Sequence, residues 1–289
     1  MVTLGISTDF TGTRCQGLFS AHTISPGIMD LYQNPALFDL THRGFQGDVA
    51  WYRAVVGSTP SSIVDLGCGT GRITLPLAED GHRLIAIDAS EVMAEVLRRQ
   101  ITPTHDVQVL VADARQVPLQ AQADAVLATC NFLCHFTASD RRALLHRIAD
   151  WLTPTGQMAL DVVDLQWHRQ HPLVRRVIPF RMDDGSVVVI EADSRCTGAV
   201  VDVSFLIRTG SMDGQPSPSD VILVESSTRL HLIEERALRS ELEDAGFIVH
   251  SWTNTFGPSD AVPVGRMVIL AKPAKRMVLK PASVPEASR

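Results

Sequence analysis

Between positions 62 and 163 the chain alternates two kinds of pattern. Short solid apolar runs at 62–66, 84–87, 107–111, 125–128 and 157–163 are separated by stretches with helical spacing, at 72–79, 91–100 and 140–152. A strand buried on both faces reads as an unbroken apolar run, and helices between such strands are the crossovers of a parallel sheet. The pattern predicts an α/β fold with a doubly wound, mostly parallel sheet. Two later runs, 247–253 and 265–271, bring the expected strands to seven, with a helix over 234–245 closed by Gly246.

The rhythm breaks on either side of this block. Ahead of it, 28–56 reads as two helical pieces interrupted at Asn34-Pro35, preceded by a Thr-, Gly- and Ser-rich stretch without period. Behind it come three β-like runs, 186–192, 199–208 and 221–232, separated by Asp184-Gly185, Gly198 and Asp213-Gly214. The expected organisation is a flexible arm (1–22), a helical cap (23–60), an α/β domain (61–171 and 233–272), an antiparallel β insertion after strand five (172–232) and a disordered tail (273–289).

Charge narrows the function. The net charge is -6 and the sequence pI about 5.9, with no long Lys/Arg run, which argues against a polyanion binder. Five scattered cysteines without a CxxC pair, no signal-like start and no membrane-length apolar stretch lead us to expect a cytoplasmic protein outside the membrane.

The most informative segment is Val64-Asp65-Leu66-Gly67-Cys68-Gly69-Thr70-Gly71. A strand running into a glycine turn and then a helix lets a ligand lie against bare backbone. A dinucleotide fingerprint would place its third glycine where Arg72 stands, and no Gly-Lys-Ser/Thr follows, so neither an NAD site nor a P-loop is expected. Asp88 ends the second strand, about twenty residues on, where a carboxylate can accept ribose hydroxyls. Asp113-Ala114 follows the third, suited to an exocyclic amine.

Together, Val64 to Gly71, Ile87-Asp88-Ala89-Ser90 with Met93, and Ala112-Asp113-Ala114 resemble the successive motifs of class I S-adenosylmethionine-dependent methyltransferases. The resemblance implies a Rossmann-like methyltransferase fold and S-adenosyl-L-methionine as cofactor. It places Gly67, Gly69 and Gly71 around the methionine part, Asp88 on the ribose and Asp113 on the adenine. Asp65, Cys68, Ala89, Met93, Ala114, Thr129 and Tyr52 complete the expected cofactor set.

The acceptor should lie past strands four and five, beyond the carboxyl edge of the sheet. Thr129-Cys130-Asn131-Phe132-Leu133-Cys134-His135-Phe136 resembles the post-strand-four segment of small-molecule methyltransferases. His135 is the candidate base, or else a helix cap or wall residue; Asn131 orients an amine or satisfies the loop. Cys130 and Cys134 suggest a nucleophile for carbon methylation or a soft-metalloid site, against the commoner small buried cysteine. Asp164 is placed to hold a cationic amine. His168 and His171 read as a solvated loop and no metal site is expected. The segment 32–52 resembles the entry segment of sugar amine and glycine-type N-methyltransferases, with Phe38 where a tyrosine is usual, so that Tyr32 or Tyr52 must supply a hydroxyl. Tyr32, Phe38, His42, Trp167 and Arg229 are the expected substrate contacts.

The reading that follows is an N- or O-methyltransferase of a small polar metabolite, a monomer or homodimer that binds no nucleic acid. Asp48 and Asp164 tilt it towards an amine. The alternatives are a protein or nucleic-acid methyltransferase, disfavoured by the acidic balance and the lack of an Asn-Pro-Pro-aromatic run, and a non-catalytic cofactor-binding protein of the same fold.

Overall fold

The computed structural model describes residues 28–42, 47–182, 184–257 and 265–274. The expected arm and nearly all of the expected tail lie outside the described residues, as do Cys15 and Gly44.

The chain enters through β1 (Ile28–Asp30), a 3₁₀ turn at Leu31–Gln33, α1 (Pro35–His42) and α2 (Gly47–Val56). Asn34 and Pro35 start α1: Asn34 Oδ1 accepts the Leu37 amide at 3.1 Å, and proline suits a first helical position, which needs no N–H donor. The stretch before them is not helical as expected, because residues 28–30 pair as a strand with a distant partner.

The α/β rhythm then runs β2 (Ser62–Leu66), α3 (Thr74–Glu79), β3 (Arg83–Asp88), α4 (Glu91–Gln100), β4 (Val107–Val111), β5 (Ala123–Ala128), α5 (Ala138–Trp151), β6 (Leu152–Val163) and α6 (Leu165–Gln170). The insertion contributes β7 (Leu173–Arg181), β8 (Val187–Thr197), β9 (Val200–Thr209) and β10 (Ile222–His231), and the chain returns through α7 (Glu235–Asp244), β11 (Phe247–Thr253) and β12 (Arg266–Pro273). Two expectations fail here. The segment at His168 is the helix α6, capped by Asp164, and His168 is buried in it. The strand β7 was hidden by Arg175-Arg176 and Pro179; it lies at the sheet edge, where proline is tolerated.

Among the described residues the main sheet has seven strands in the order β11-β12-β6-β5-β2-β3-β4. β2, β3, β4, β5 and β6 pair parallel, and β12 is antiparallel to both neighbours. Successive residues feed opposite cores, which explains the unbroken apolar runs. Val64, Val126 and Leu160 pack with Leu144 and Ile148 of α5 and Leu238 and Leu242 of α7. Ile63, Leu127 and Ala159 pack on the other face with Tyr52 of α2 and Leu77 of α3.

The second sheet, β1-β10-β9-β8-β7, is antiparallel except for the parallel β1–β10 pair. One side of it closes over the entry segment: Val188, Ile190, Ile207 and Val224 bury Leu31, Leu37 and Phe38, together with Met93 of α4. An antiparallel layer is thereby set against the carboxyl edge of the parallel sheet, and the cap lies between them.

The buried Arg141 of α5 donates two hydrogen bonds, at 2.6 and 2.8 Å, to Glu241 of α7, both side chains being at most 5% exposed. Removing one member strands a buried charge, so Arg141→Ala is expected to lower unfolding stability by about 3–5 kcal/mol in urea titration. A loss below about 1 kcal/mol, the scale of an exposed pair, would show that this pair does not hold the helices together.

Candidate functional site

The site is built where the parallel strands end. Past β2, the amides of Gly67 and Cys68 both donate to the Ile87 carbonyl, at 2.8 and 3.1 Å. The chain turns with positive φ at Gly67 (+68°), Gly69 (+55°) and Gly71 (+97°). Space forbids side chains at two of these: a Cβ on Gly67 would lie 2.6 Å from the Phe132 ring, and one on Gly71 would lie 2.5 Å from Leu97 Cδ1. Cys68 turns inward against Ala86 and Leu97, and burial pushes its thiol far up, so this turn offers a ligand backbone only.

Asp88 locks the turn to the end of β3. One carboxylate oxygen accepts the Gly69 amide and the other the Ser90 amide, both at 2.8 Å. Burial raises its carboxyl above the usual range, while the amides of Ser90, Gly69 and Ala89 pull it back. Ala89 is exposed beside it, and Ser90 Oγ donates to the Tyr32 carbonyl at 2.8 Å, tying the cap to the turn. Asp113 is not the open carboxylate the sequence suggests. It is gripped by Arg115, whose backbone amide and guanidinium donate at 2.9 and 2.6 Å, and this contact holds its carboxyl below the ordinary range. Ala114 is buried behind it.

Asp65 lies wholly buried at the base of the turn. Thr74 Oγ1 donates to Oδ2 at 2.6 Å, and Oδ1 has no partner. Burial pushes its carboxyl up to about 7; Thr74 opposes that shift and Asp88 adds to it.

The acidic residues expected to receive an amine are engaged elsewhere. The Arg72 guanidinium, in the position that ruled out a dinucleotide fingerprint, donates to both oxygens of the buried Asp48 at 2.8 and 2.5 Å. Asp164 accepts the Gln166 amide at 2.9 Å as the cap of α6. Trp167 in the same helix stacks on His171, with ring centroids 4.3 Å apart, and packs against Gly265, away from the cleft described below.

Sequence reasoning missed the residue that organises the loop after β5. Asp161, wholly buried in β6, accepts four hydrogen bonds: from the Tyr52 hydroxyl (2.7 Å), the amides of Cys130 (2.8 Å) and Asn131 (3.3 Å), and Arg266. Cys130 and Asn131 both adopt left-handed backbone, at φ 55° and 64°, costly for non-glycine residues and sustained here by those amide bonds. Tyr52, expected at the cofactor, is fully enclosed and faces this carboxylate instead. A charged residue inside an otherwise apolar strand was the one available signal, since a buried charge needs partners. Thr129 is buried just before the loop, and Asn131 Oδ1 is buried without a partner.

The loop continues into a 3₁₀ turn, Phe132–His135, that delivers His135 to a cleft of about 560 Å³. Tyr32 Oη lies 3.0 Å from His135 Nε2, the rings edge to face. The other lining residues come from the second sheet: Asp202, Ser227, Thr228 and Arg229, with Arg229 Nε donating to Asp202 at 2.6 Å. Three expected site residues, Tyr32, His135 and Arg229, thus meet in one cleft. Phe38 stacks on His42 at 4.2 Å between centroids, and its ring edge lies 3.6 Å from where Gly69 would carry a Cβ.

Residues 63–156 match a family model described as a methyltransferase domain. Cypemycin N-terminal methyltransferase from a Streptomyces species is 35% identical over 122 residues, 41% of this chain and 48% of that protein. The chain thus spans about half the length of the curated relatives it matches. Solved structures show the class I fold over a wider range. The sugar N-methyltransferase KedS8 from a Streptoalloteichus species superposes with a TM-score of 0.64 at 19% identity, covering 91% of this chain and 100% of that one. S-adenosylmethionine-bound CalS10, an amino pentose methyltransferase from Micromonospora echinaspora, gives 0.64 at 16% identity, covering 82% and 97%. Among the described residues no helix is long and apolar enough to cross a membrane, and no cluster of three or more His, Cys, Asp or Glu is arranged for a metal.

Two measurements test this site. A carboxyl raised in the folded state holds a proton that the unfolded chain has already lost, so Asp65 costs stability increasingly as pH rises from about 4 towards 7. The stability of Asp65→Asn relative to the parent should therefore rise between pH 4 and 7, and a difference constant with pH would mean that Asp65 is ionised when folded. Asp161→Asn keeps an acceptor for Tyr52 and Cys130 but not for Arg266 and Asn131. It should cost about 3–5 kcal/mol, the price of an unpaired buried charge, and a loss under 1 kcal/mol would remove Asp161 from its organising role.

Proposed function

We propose that the protein transfers a methyl group from S-adenosylmethionine to a nitrogen or oxygen of a small polar acceptor, bound in the cleft between the methyltransferase domain and the second sheet. The observation that carries this reading is the Tyr32–His135 pair. It stands past β5, on the edge that carries the glycine turn, and shares one cleft with Asp202, Ser227, Thr228 and Arg229.

The chain's residues fit the cofactor. Gly67, Gly69 and Gly71 present bare backbone for the methionine part, and Asp88, with three amides on its roughly four acceptor positions, keeps one for a ribose hydroxyl. Asp113 would take the adenine amine only by sharing its carboxylate with Arg115. The bound cofactor supplies a methyl group already activated as a sulfonium, so the protein's main task is alignment. Tyr32 and His135 hold the acceptor atom and take its proton as the bond forms. Arg229, Asp202, Ser227 and Thr228 offer donors and acceptors to a polar body, and the insertion serves as a lid. Asn131, whose amide oxygen lacks a partner, orients the acceptor.

Calorimetry with S-adenosylmethionine, S-adenosylhomocysteine and NAD tests the donor. Micromolar binding of both sulfur compounds and none of NAD is expected, with loss of that binding in Asp88→Ala; failure to bind S-adenosylhomocysteine would overturn the reading. Labelled methyl transfer to panels of amino sugars, hydroxylated metabolites and peptide amines then tests the acceptor. On any acceptor found, His135→Ala should keep S-adenosylhomocysteine affinity and lose roughly 10²–10⁴-fold in turnover. A loss below about tenfold would assign His135 to positioning alone.

A further inference from the structure

One reactive couple is not used by this reading. Cys130, the second residue past β5, places its Sγ 3.3 Å from Nε2 of His42 at the end of α1. His42 Nδ1 lies 2.9 Å from the Phe38 carbonyl oxygen, which can only accept, so Nδ1 carries a hydrogen. In the neutral ring Nε2 is then a lone pair aimed at the thiol. Nucleophile, base and a third group that orients the base are the arrangement that activates a side chain for attack.

The backbone and the surrounding charge act together. The left-handed turn at Cys130 and Asn131, held by Asp161, sets the thiol at His42. The charged groups around the couple are Asp39 from α1, Arg72 from the turn after β2, Asp161 from β6 and Arg266 from β12. Burial pushes the Cys130 thiol up, but the cationic His42 ring, its hydrogen bond and Arg72 outweigh burial and Asp161, leaving the thiol below its ordinary range. His42 is raised in turn: burial opposes its charge and Cys130 favours it. The other described cysteines lack such a partner. Cys134 is pushed up to about 12 by burial, Cys68 further still, and the thiol of Cys196 in β8 points at the Gly198 carbonyl.

We propose that Cys130 and His42 form an activated thiol site in the wall of the cofactor cradle, which takes low-molecular-weight disulfides and soft electrophiles. The position follows from contact: His42 stacks on Phe38, and Phe38 lies against Gly69 of the glycine turn. Both residues are half-buried, and reaction requires that a small reagent reach the thiol. In the disulfide reaction the Cys130 thiolate attacks one sulfur of the reagent. A new S–S bond forms as the old one breaks, and the departing thiolate takes the proton that His42 had received from Cys130. The added group then crowds His42 and Phe38 and weakens cofactor binding. The chemistry of the thiol is independent of methyl transfer; only the effect on the cofactor rests on the proposed function.

The test is a mass-spectrometric time course on the full chain, following each cysteine separately with iodoacetamide at pH 6 and pH 8. Cys130 should react at least about tenfold faster than Cys196 at pH 6, and His42→Gln, which keeps a polar group at the ε position but cannot ionise, should abolish that advantage. Saturating S-adenosylhomocysteine should slow Cys130 and leave Cys196 unchanged, and glutathione disulfide should add to Cys130 and reduce S-adenosylhomocysteine affinity. Equal rates at Cys130 and Cys196, or a His42→Gln rate equal to the parent's, would overturn the activated thiol. Should His42→Gln not fold, the parent's rates at the two cysteines decide the matter alone. A fast Cys130 in a protein that binds no S-adenosylhomocysteine would sink the cofactor reading and leave the thiol standing.

Discussion

The buried carboxylate of Asp161 is the constraint on which the rest depends. Alone in the interior such a charge costs several kcal/mol, and the cost is offset only by partners that no single element can supply. Tyr52 comes from α2, Arg266 from β12, and the amides of Cys130 and Asn131 from the loop after β5. The carboxylate is satisfied only when the cap is docked, the antiparallel strand that follows the insertion is in place, and the loop has taken its strained left-handed turn. Completing the fold and shaping the catalytic edge are therefore one event.

The other buried charges follow the same logic and set the polarity of the cleft. Asp48 is neutralised by Arg72, Glu241 by Arg141, and Glu191 by Arg208, which also reaches Asp220. Acidic residues that look available to a cationic acceptor in the sequence are thus structural. The charged groups lining the cleft come from the insertion instead, where Arg229 and Asp202 are paired and exposed. An acceptor that displaces or bridges an exposed pair meets little resistance, because such a pair contributes about 0–1 kcal/mol.

What could be read from the sequence was what local geometry dictates. The parallel strands were legible because both their faces are buried, and the glycine turn because positive φ and close backbone approach demand glycine at fixed spacing. Asp88 was legible because it ends the strand next to the turn. Asp161 was not: Tyr52 and Arg266 lie 109 and 105 residues from it, and periodicity carries no information about such pairs. For the same reason Tyr52 was assigned to the cofactor and Asp48 to an amine. The edge strand β7 escaped because arginine and proline mask its alternation, and α6 because its six residues are too few for helical spacing to show.

The two halves of the site differ in how far they are shared. The half proposed for the methyl donor, Gly67 to Gly71 with Asp88 and Asp113, falls inside the segment that matches the methyltransferase family model. Of the residues proposed for the acceptor, His135 and Asn131 do; Tyr32, Asp202, Ser227, Thr228 and Arg229 lie outside that match. Under the proposed function, a sulfonium donor would account for the division. Because the methyl group is already activated, its chemistry requires one cradle but only alignment from the acceptor side, and many surfaces can provide alignment. Cys130 and His42 stand at the seam, one on each half. On the proposed reading, a group attached there would press on Phe38 and the glycine turn, and through the neighbouring Asn131 and Tyr32 it would reach the acceptor side as well.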